Sequence, residues 1–431
     1  MQTSVFPRRP RGTEDGDTRG AHLAGRFASD RNSLFGATRA VVVAAQFFAL
    51  LPVHGITGPN ASALEFRWRS ARTARSLLMA ASHAVAFCFC SNRFFSARFT
   101  FSNIAQVIFF LYACGMTLAF VRLATRWPGI ARRWEWVELE TRGYGHPRGL
   151  ARKVRAIAAS ALALAALEHV FSNVSKLRRG LLCSRGGADW VRAYFVNNYS
   201  HVFALTNYSV WKGAATLYVN VIATFTWTFA DLFLIVVSVA VAARFRALNE
   251  FLRGVRGKEV SHRLWGKVRR DYNQLTRLAA RLDSCLSGLV LLSFANNMYF
   301  ICLQLNYSLR LRGLTLDAAY FYTSLTFIVL RAAAVLFCAA SVHDESKQPK
   351  RILQSVPSRS YCLEVERLLL QVSCHDVAFT GLHLFSVNHR LILTVFSAVI
   401  TYQIVLIQMN ASSTYEYSVP SGFNASTDCL Q

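Results

Sequence analysis

The chain reads as an all-α, polytopic membrane protein with seven transmembrane helices, an intracellular amino terminus and an extracellular carboxyl terminus. Three observations predict this. Apolar residues gather into runs near 20 long, the length a helix needs to cross about 30 Å of hydrocarbon. Lys and Arg fall in blocks between those runs, the pattern of loops held at an anionic inner leaflet. Asn-x-Ser triplets, which mark glycan acceptors on exported segments, fall on the opposite side from those blocks. With 53% hydrophobic and 16% charged residues in 431, the composition argues against a soluble globular chain. The net charge of +25 is accounted for by the loop blocks. No basic stretch is backed by a recognisable soluble domain, so nucleic acid is not an expected partner.

Taken in order, residues 1–37 are a polar cytoplasmic tail carrying Arg8, Arg9, Arg11, Arg19, Arg26 and Arg31, with no cleavable signal. Residues 38–75 hold the apolar run Ala40 to Val53, about 14 residues long and flanked by arginines on both sides. A crossing there would leave one arginine cluster outside, so an interfacial or re-entrant segment is expected instead of a span. The seven-helix transmembrane region 76–410 follows, with runs at about 76–96, 101–124, 154–172, 216–243, 285–307, 317–342 and 389–410. Loops 125–153, 244–284 and 343–388 are then intracellular, and the first two are rich in Lys and Arg, including Arg132, Arg133, Arg148, Arg152, Lys153, Arg244, Arg246, Lys267, Arg269 and Arg270. Helical spacing of apolar residues over about 262–286 and 361–386 predicts two amphipathic cytoplasmic helices. After Arg390 no Lys or Arg remains, which puts the tail 411–431 outside.

Triplets at Asn173, Asn198, Asn207, Asn306, Asn410 and Asn424 all lie on segments this topology places outside; only Asn60 does not. An odd span count with this orientation is the reverse of a G-protein-coupled receptor, and no Asp-Arg-Tyr or Asn-Pro-x-x-Tyr motif sits where that class needs it. Of the ten cysteines, Cys88, Cys90, Cys114, Cys285, Cys302 and Cys338 lie in or beside apolar runs without metal-ligand spacing, and read as small core residues. Cys183 and Cys429 both fall outside in this topology, which leaves a disulfide between them open. No metal or cofactor is expected. An enzyme reading has no nucleophile motif, His-rich metal set or phosphate loop to stand on.

The last apolar run, Leu391 to Met409, carries Thr401-Tyr402, five mostly apolar residues and Gln408. Thr401, Val405 and Gln408 fall on one face of a helix, about two turns long. Lipid offers a hydroxyl and an amide no partner, so that stripe is expected to face protein or water. Two readings stay open on chemistry alone: a pore lining, or hydrogen bonds across a helix contact.

That stretch, TYQIVLIQM, resembles the Thr-Tyr…Gln-Phe hallmark of the insect gustatory receptors, with Met409 where the family has Phe. The stretches TFTWTFADLFLIVVSVAVAARFRALN (224–249), DYNQLTRLAARLDSCLSGLVLLSFANNMYFICLQL (271–305), SVHDESK (341–347) and SCHDVAFTGLHLF (373–385) are similar to its sugar-receptor branch. So is AQFFALLPVHGI (45–56) ahead of FRWRS (66–70). The resemblance implies seven spans around a central pore in a ligand-gated cation channel, a homo- or hetero-tetramer with related receptors in the plasma membrane of gustatory neurons. It also implies one sugar pocket per subunit in the outer half of the bundle. Carried over residue by residue, it puts Gln408 and Met409 at the narrowing of the pore with Val405 nearby, and gives Thr401 and Tyr402 to helix packing. A ring of glutamine amides has no fixed charge, so monovalent and divalent cations are expected to pass with little selectivity.

Sugar recognition needs amide or carboxylate groups for adjacent hydroxyls and aromatic faces for the C–H surface. The outer halves of the spans offer Glu168, Trp227, Asp231, Asn296, Asn297, Tyr299, Gln304, Tyr320 and Tyr322. Asp231 has a structural rival, a buried ion pair with Arg331 at similar depth. Asn296 and Asn297 adjoin, so at most one of them is expected in a pocket. The alternatives are a receptor subunit for another tastant, an obligate co-receptor, or a secondary sugar transporter, for which no internal repeat is visible.

Overall fold

The structure is a computed structural model describing residues 33–96, 101–145, 149–183, 190–308 and 316–414. Seven helices in it are long and apolar enough to cross a membrane. They are α2 (Ala71–Ser96), α3 (Phe101–Glu140), α4 (Leu150–Cys183), α7 (Val210–Gly254), α8 (His262–Ser308), α9 (Leu316–Lys347) and α12 (His389–Thr414). Shorter helices are α1 (Leu34–Phe47), α5 (Trp190–Asn198), α6 (Ser200–Phe203), α10 (Pro349–Leu353) and α11 (Leu363–Cys374). A two-residue strand β1 (Val53–His54) pairs antiparallel with β2 (Glu65–Phe66).

The helix α7 is the axis of the bundle. Its apolar window is 89% buried, against 0% for α12. Phe229, Phe233, Val236 and Ala240 are shielded within it, as expected of a helix apolar all round. At 45 and 47 residues, α7 and α8 are about 70 Å long at 1.5 Å per residue, twice the hydrocarbon thickness. They therefore run on beyond the apolar layer. The extension of α8 buries the stripe Val268, Tyr272, Leu275, Leu278, Leu282 and Leu286, and is tied laterally by Tyr144–Asp271 (2.6 Å) and Arg269–Glu364 (2.5 Å).

The helix expected over 361–386 stops at Cys374. Lys347 Nζ donates to the carbonyls of Val372 (2.9 Å) and His375 (3.0 Å), taking the acceptors a further turn would use. Asp283 then accepts from the Thr380 backbone N–H (2.6 Å) and hydroxyl (2.9 Å). The chain turns through Leu382 and His383 at φ of 48° and 60°, closed by a Thr380–Ser386 bridge. A Cβ on Gly381 would overlap the Phe385 ring, so this turn takes no side chain there. The apolar residues Phe379 and Val387 are buried by extended chain instead of helix.

At the other end, the tail boundary moves from residue 37 to Ser33, which caps α1 by accepting from the Gly36 N–H. Val42 and Ala45 of α1 are fully buried in the main core. The Leu34 N–H donates to Glu138 Oε1 (3.1 Å), which also accepts from Trp134 Nε1 (2.9 Å) and Arg244 Nη2 (2.6 Å). Phe48, just past α1, stacks on Phe225, nineteen residues or about 28 Å along α7 from Arg244. The segment thus enters deep between the helices and returns through β1 and β2.

Candidate functional site

Polar side chains on α4, α7, α8 and α9 gather in two layers. In the inner layer Asp231, with 0% exposure, lies 2.8 Å from Arg331 Nε. Asn297 Nδ2 donates to both its carboxylate oxygens (3.2 and 3.1 Å), and the Ser293 hydroxyl donates to Oδ1. Trp227 Nε1 donates to Asn297 Oδ1 (2.9 Å), and the Arg331 guanidinium lies over the Trp227 ring at 4.5 Å while donating to Thr228 (3.2 Å). Asp231 is therefore engaged by its rival partner, and each of its oxygens has a donor. Ser293 sits one turn from Asn297 on α8, a spacing legible in the sequence.

The outer layer lies seven residues farther along both helices: Gln304 against Asn297 on α8, and Ser324 against Arg331 on α9, about 10 Å in each case. Gln304 Nε2 donates to Ser324 Oγ (3.4 Å), and the Ser324 hydroxyl donates to Glu168 Oε1 (3.1 Å) of α4. The Tyr320 hydroxyl joins Glu168, Ser172 and Ser324. The remaining expected residues do not converge. Tyr322 is 50% exposed. Tyr299 packs edge-on to Phe300 and faces Tyr402 of α12. Asn296 is buried, yet neither end of its amide has a hydrogen-bond partner; Tyr112, whose ring is 6.4 Å from Trp227, also has an unpartnered buried hydroxyl.

The space beside this constellation is small. Ser293 and Asn297 roof an apolar cavity of about 30 Å³ between α7, α8, α9 and the turn at Phe379 and Phe385. That holds a water or two and no sugar, for which pockets of about 300–1,000 Å³ are usual. The arrangement is a closed one, its polar groups bonded to each other. A wider space of about 510 Å³ opens between α4, α5 and α7, lined by His169, Asn173, Trp190 and Tyr194 among apolar residues.

Little of α12 touches its own chain. Val399 packs on Ile301, Ile328 and Ala332, and Tyr402 is half-buried. Thr401, Val405 and Gln408 share an exposed face, with Phe396, Ile400 and Ile404 also uncovered. Thr401 is thus on the open side, whereas Tyr402 holds the helix to its neighbours. The side chains of Met409 and Asn410 lie outside the described residues, as do Asn424, Cys429 and the side chain of Cys183. Among the glycan triplets, Asn207 is exposed. Asn306 is 7% exposed within α8. Asn173 and Asn198 lie on helices and donate to the carbonyls of His169 and Tyr194, each at 2.8 Å. Among the described residues no group of His, Cys, Asp and Glu is placed to hold a metal.

Comparison with known proteins fits this architecture. A family profile described as trehalose receptor matches residues 19–418. Gustatory receptor for sugar taste 64f of Drosophila melanogaster is 34% identical over 387 residues, 89% of this chain and 82% of the relative. Gustatory receptor 5a for trehalose, from the same fly, is 32% identical over 384 residues, 88% and 85% of the two chains. Among solved structures, the insect olfactory receptor OR5 from Machilis hrabei superposes with a TM-score of 0.61 at 14% identity, covering 92% of this chain and 100% of that one, a likeness of fold. On the extent of the profile match and the identity to the sugar receptors, the chain belongs to the trehalose receptor family.

Proposed function

We propose that this chain is a sugar-gated, nonselective cation channel subunit of the plasma membrane of gustatory neurons, assembling as a homo- or hetero-tetramer around α12. The observation that carries the channel reading is α12 itself: an apolar helix with almost no cover from its own chain, presenting Thr401, Val405 and Gln408 on one open face. A polar stripe on an otherwise apolar, exposed helix is disfavoured against lipid, whereas copies of the same helix around a wet axis would accommodate it. The sugar reading is supported by the relatives' named tastes and by the two polar layers, which offer amide, carboxylate and hydroxyl groups beside the Trp227 ring. Sugar would enter by exchanging its hydroxyls for the contacts among Trp227, Asn297, Gln304, Ser324 and Glu168, separating α8 from α9 and α4. The orientation follows the arginine blocks, with the amino terminus inside.

Whole-cell current from cells expressing the chain alone, with mono- and disaccharides applied and Gln408→Ala recorded beside it, tests both halves. A sugar-evoked cation current whose block or selectivity changes in the variant is expected. Surface-expressed protein that gives no current with any sugar, alone or with related subunits, would overturn the channel reading.

A further inference from the structure

On the arginine-rich side of the bundle a groove of about 830 Å³ opens between the β2 segment, α3 and α8. Three guanidinium groups line it, Arg126 and Arg132 from α3 and Arg281 from α8, all exposed. Among the described residues, none of the three makes an ion pair with a carboxylate. Glu65, the one carboxylate in the lining, is paired with Arg67. Arg132 is steadied from the hairpin side, donating to the Leu64 carbonyl at 3.5 Å. Three cations held around one cavity repel each other unless an anion joins them.

The depth of the groove is fixed by the sequence. The apolar run of α3 ends at Ala124, just before Arg126, and that of α8 begins at Cys285, just after Arg281. Thr125, Ser284 and Cys285 line the groove as well, so it sits where two spans leave the apolar layer together. Trp68, 65% exposed at its rim, is the residue type that settles at headgroup level. An arginine fork binds phosphate oxygens two at a time, and anionic lipids are concentrated in the leaflet that faces basic loops.

We propose that this groove is a binding site for a polyphosphorylated headgroup of the kind an inositol phospholipid presents, with the phosphates on Arg126, Arg132 and Arg281 and the acyl chains passing outward beside Trp68. It rests on the membrane reading and not on sugar. The test uses the full chain in detergent micelles and two probes, dioctanoyl phosphatidylinositol bisphosphate and the soluble headgroup inositol trisphosphate. Saturable binding is expected, weakened at least tenfold by Arg126→Gln/Arg132→Gln/Arg281→Gln. The charge-matched control Arg253→Gln/Arg256→Gln/Arg351→Gln, at exposed positions elsewhere, is expected to shift it less than twofold. Replacing the three groove arginines by lysine keeps the charge but loses the fork, and is expected to leave binding between that of the parent and that of the glutamine variant. Preference for the lipid over the headgroup assigns the membrane as the source, and equal binding assigns a soluble inositol phosphate; both support the site. No saturable binding, or equal loss in the control, overturns it.

Discussion

Replacing Arg331 by methionine leaves the Asp231 carboxylate buried with only Ser293 and Asn297 as donors. Asp231 is 0% exposed and its ion pair is 2.8 Å long, so bulk solvent does not compensate for the lost cation. Removing one member of such a pair costs about 3–5 kcal/mol, because a charge stays behind without compensation. Loss of the guanidinium from the Trp227 face, 4.5 Å away, adds about 0.5–2 kcal/mol. Replacing both members, in Asp231→Asn/Arg331→Met, removes the stranded charge and is expected to recover most of the loss. The assay is the heating midpoint of the detergent-solubilised, fluorescently tagged chain on size-exclusion chromatography. Arg331→Met should melt far below the parent and the double variant near it. Because both oxygens of Asp231 are occupied from within, the double variant should also answer sugar within a few-fold of the parent. A single variant that melts like the parent refutes the buried pair. A double variant that folds, reaches the surface and is silent to sugar refutes the positioning role and makes Asp231 or Arg331 a ligand contact.

Glu138→Gln strands Arg244, whose side chain is 3% exposed, at a similar cost of about 3–5 kcal/mol, and weakens the hold on the Leu34 N–H; hydrogen exchange of residues 34–47 should speed up, and Glu138→Gln/Arg244→Met should slow it again. Lys347→Met releases the carbonyls of Val372 and His375 and should raise exchange across 372–388 at a cost of about 1.5–3 kcal/mol per lost charged bond, while leaving residues 34–47 unchanged. Burial beside Phe110 and Tyr199, with Arg93 adding to it, pushes His201 down to about 4, and both its ring nitrogens lack partners. A lowered folded value means the contribution is fully present above the ordinary value near 6.5 and is lost as the pH falls from there towards about 4. Residues 190–203 should therefore loosen by roughly 2 kcal/mol at pH 5, read by hydrogen exchange of that segment, and His201→Phe should abolish the dependence.

The spans were legible because each needs a long apolar run, and length survives any detail of packing. Depth of burial was less so: nothing in the apolar run of residues 40–53 distinguishes lying on a surface from threading between α3, α4 and α7, since the deciding contact, Leu34 to Glu138, joins positions 104 residues apart. The stripe past Cys374 misled for a different reason. The stripe through Val365, Leu368, Leu369, Val372 and Val377 reads as helical, but Lys347 and Asp283, from other helices, claim the backbone groups that a helix would use past Cys374. At the candidate site, residue type was informative and direction was not. Asp231 and Asn297 meet, whereas Asn296 faces another way and Tyr322 points outward, which a choice between adjacent positions on a helix cannot resolve without its neighbours.

A small apolar contact joins the two polar layers to the exposed helix. The layers close on residues of α8 and α9, seven positions apart on each, and Val399 of α12 rests on Ile301 from α8 with Ile328 and Ala332 from α9. Two of these residues lie between the layers in height, Ile301 between Asn297 and Gln304 and Ile328 between Ser324 and Arg331. A ligand opens a channel only by binding the open arrangement better than the closed one. On the sugar reading, a cavity of about 30 Å³ does not admit a sugar, so a sugar held among these polar groups would keep α8 and α9 farther apart than here. The seat of Val399 is made by both helices at that height and cannot survive their separation unchanged. On the channel reading, sugar affinity and the position of α12 are therefore two expressions of one displacement, and the side chains that set their coupling are apolar ones that touch neither sugar nor ion.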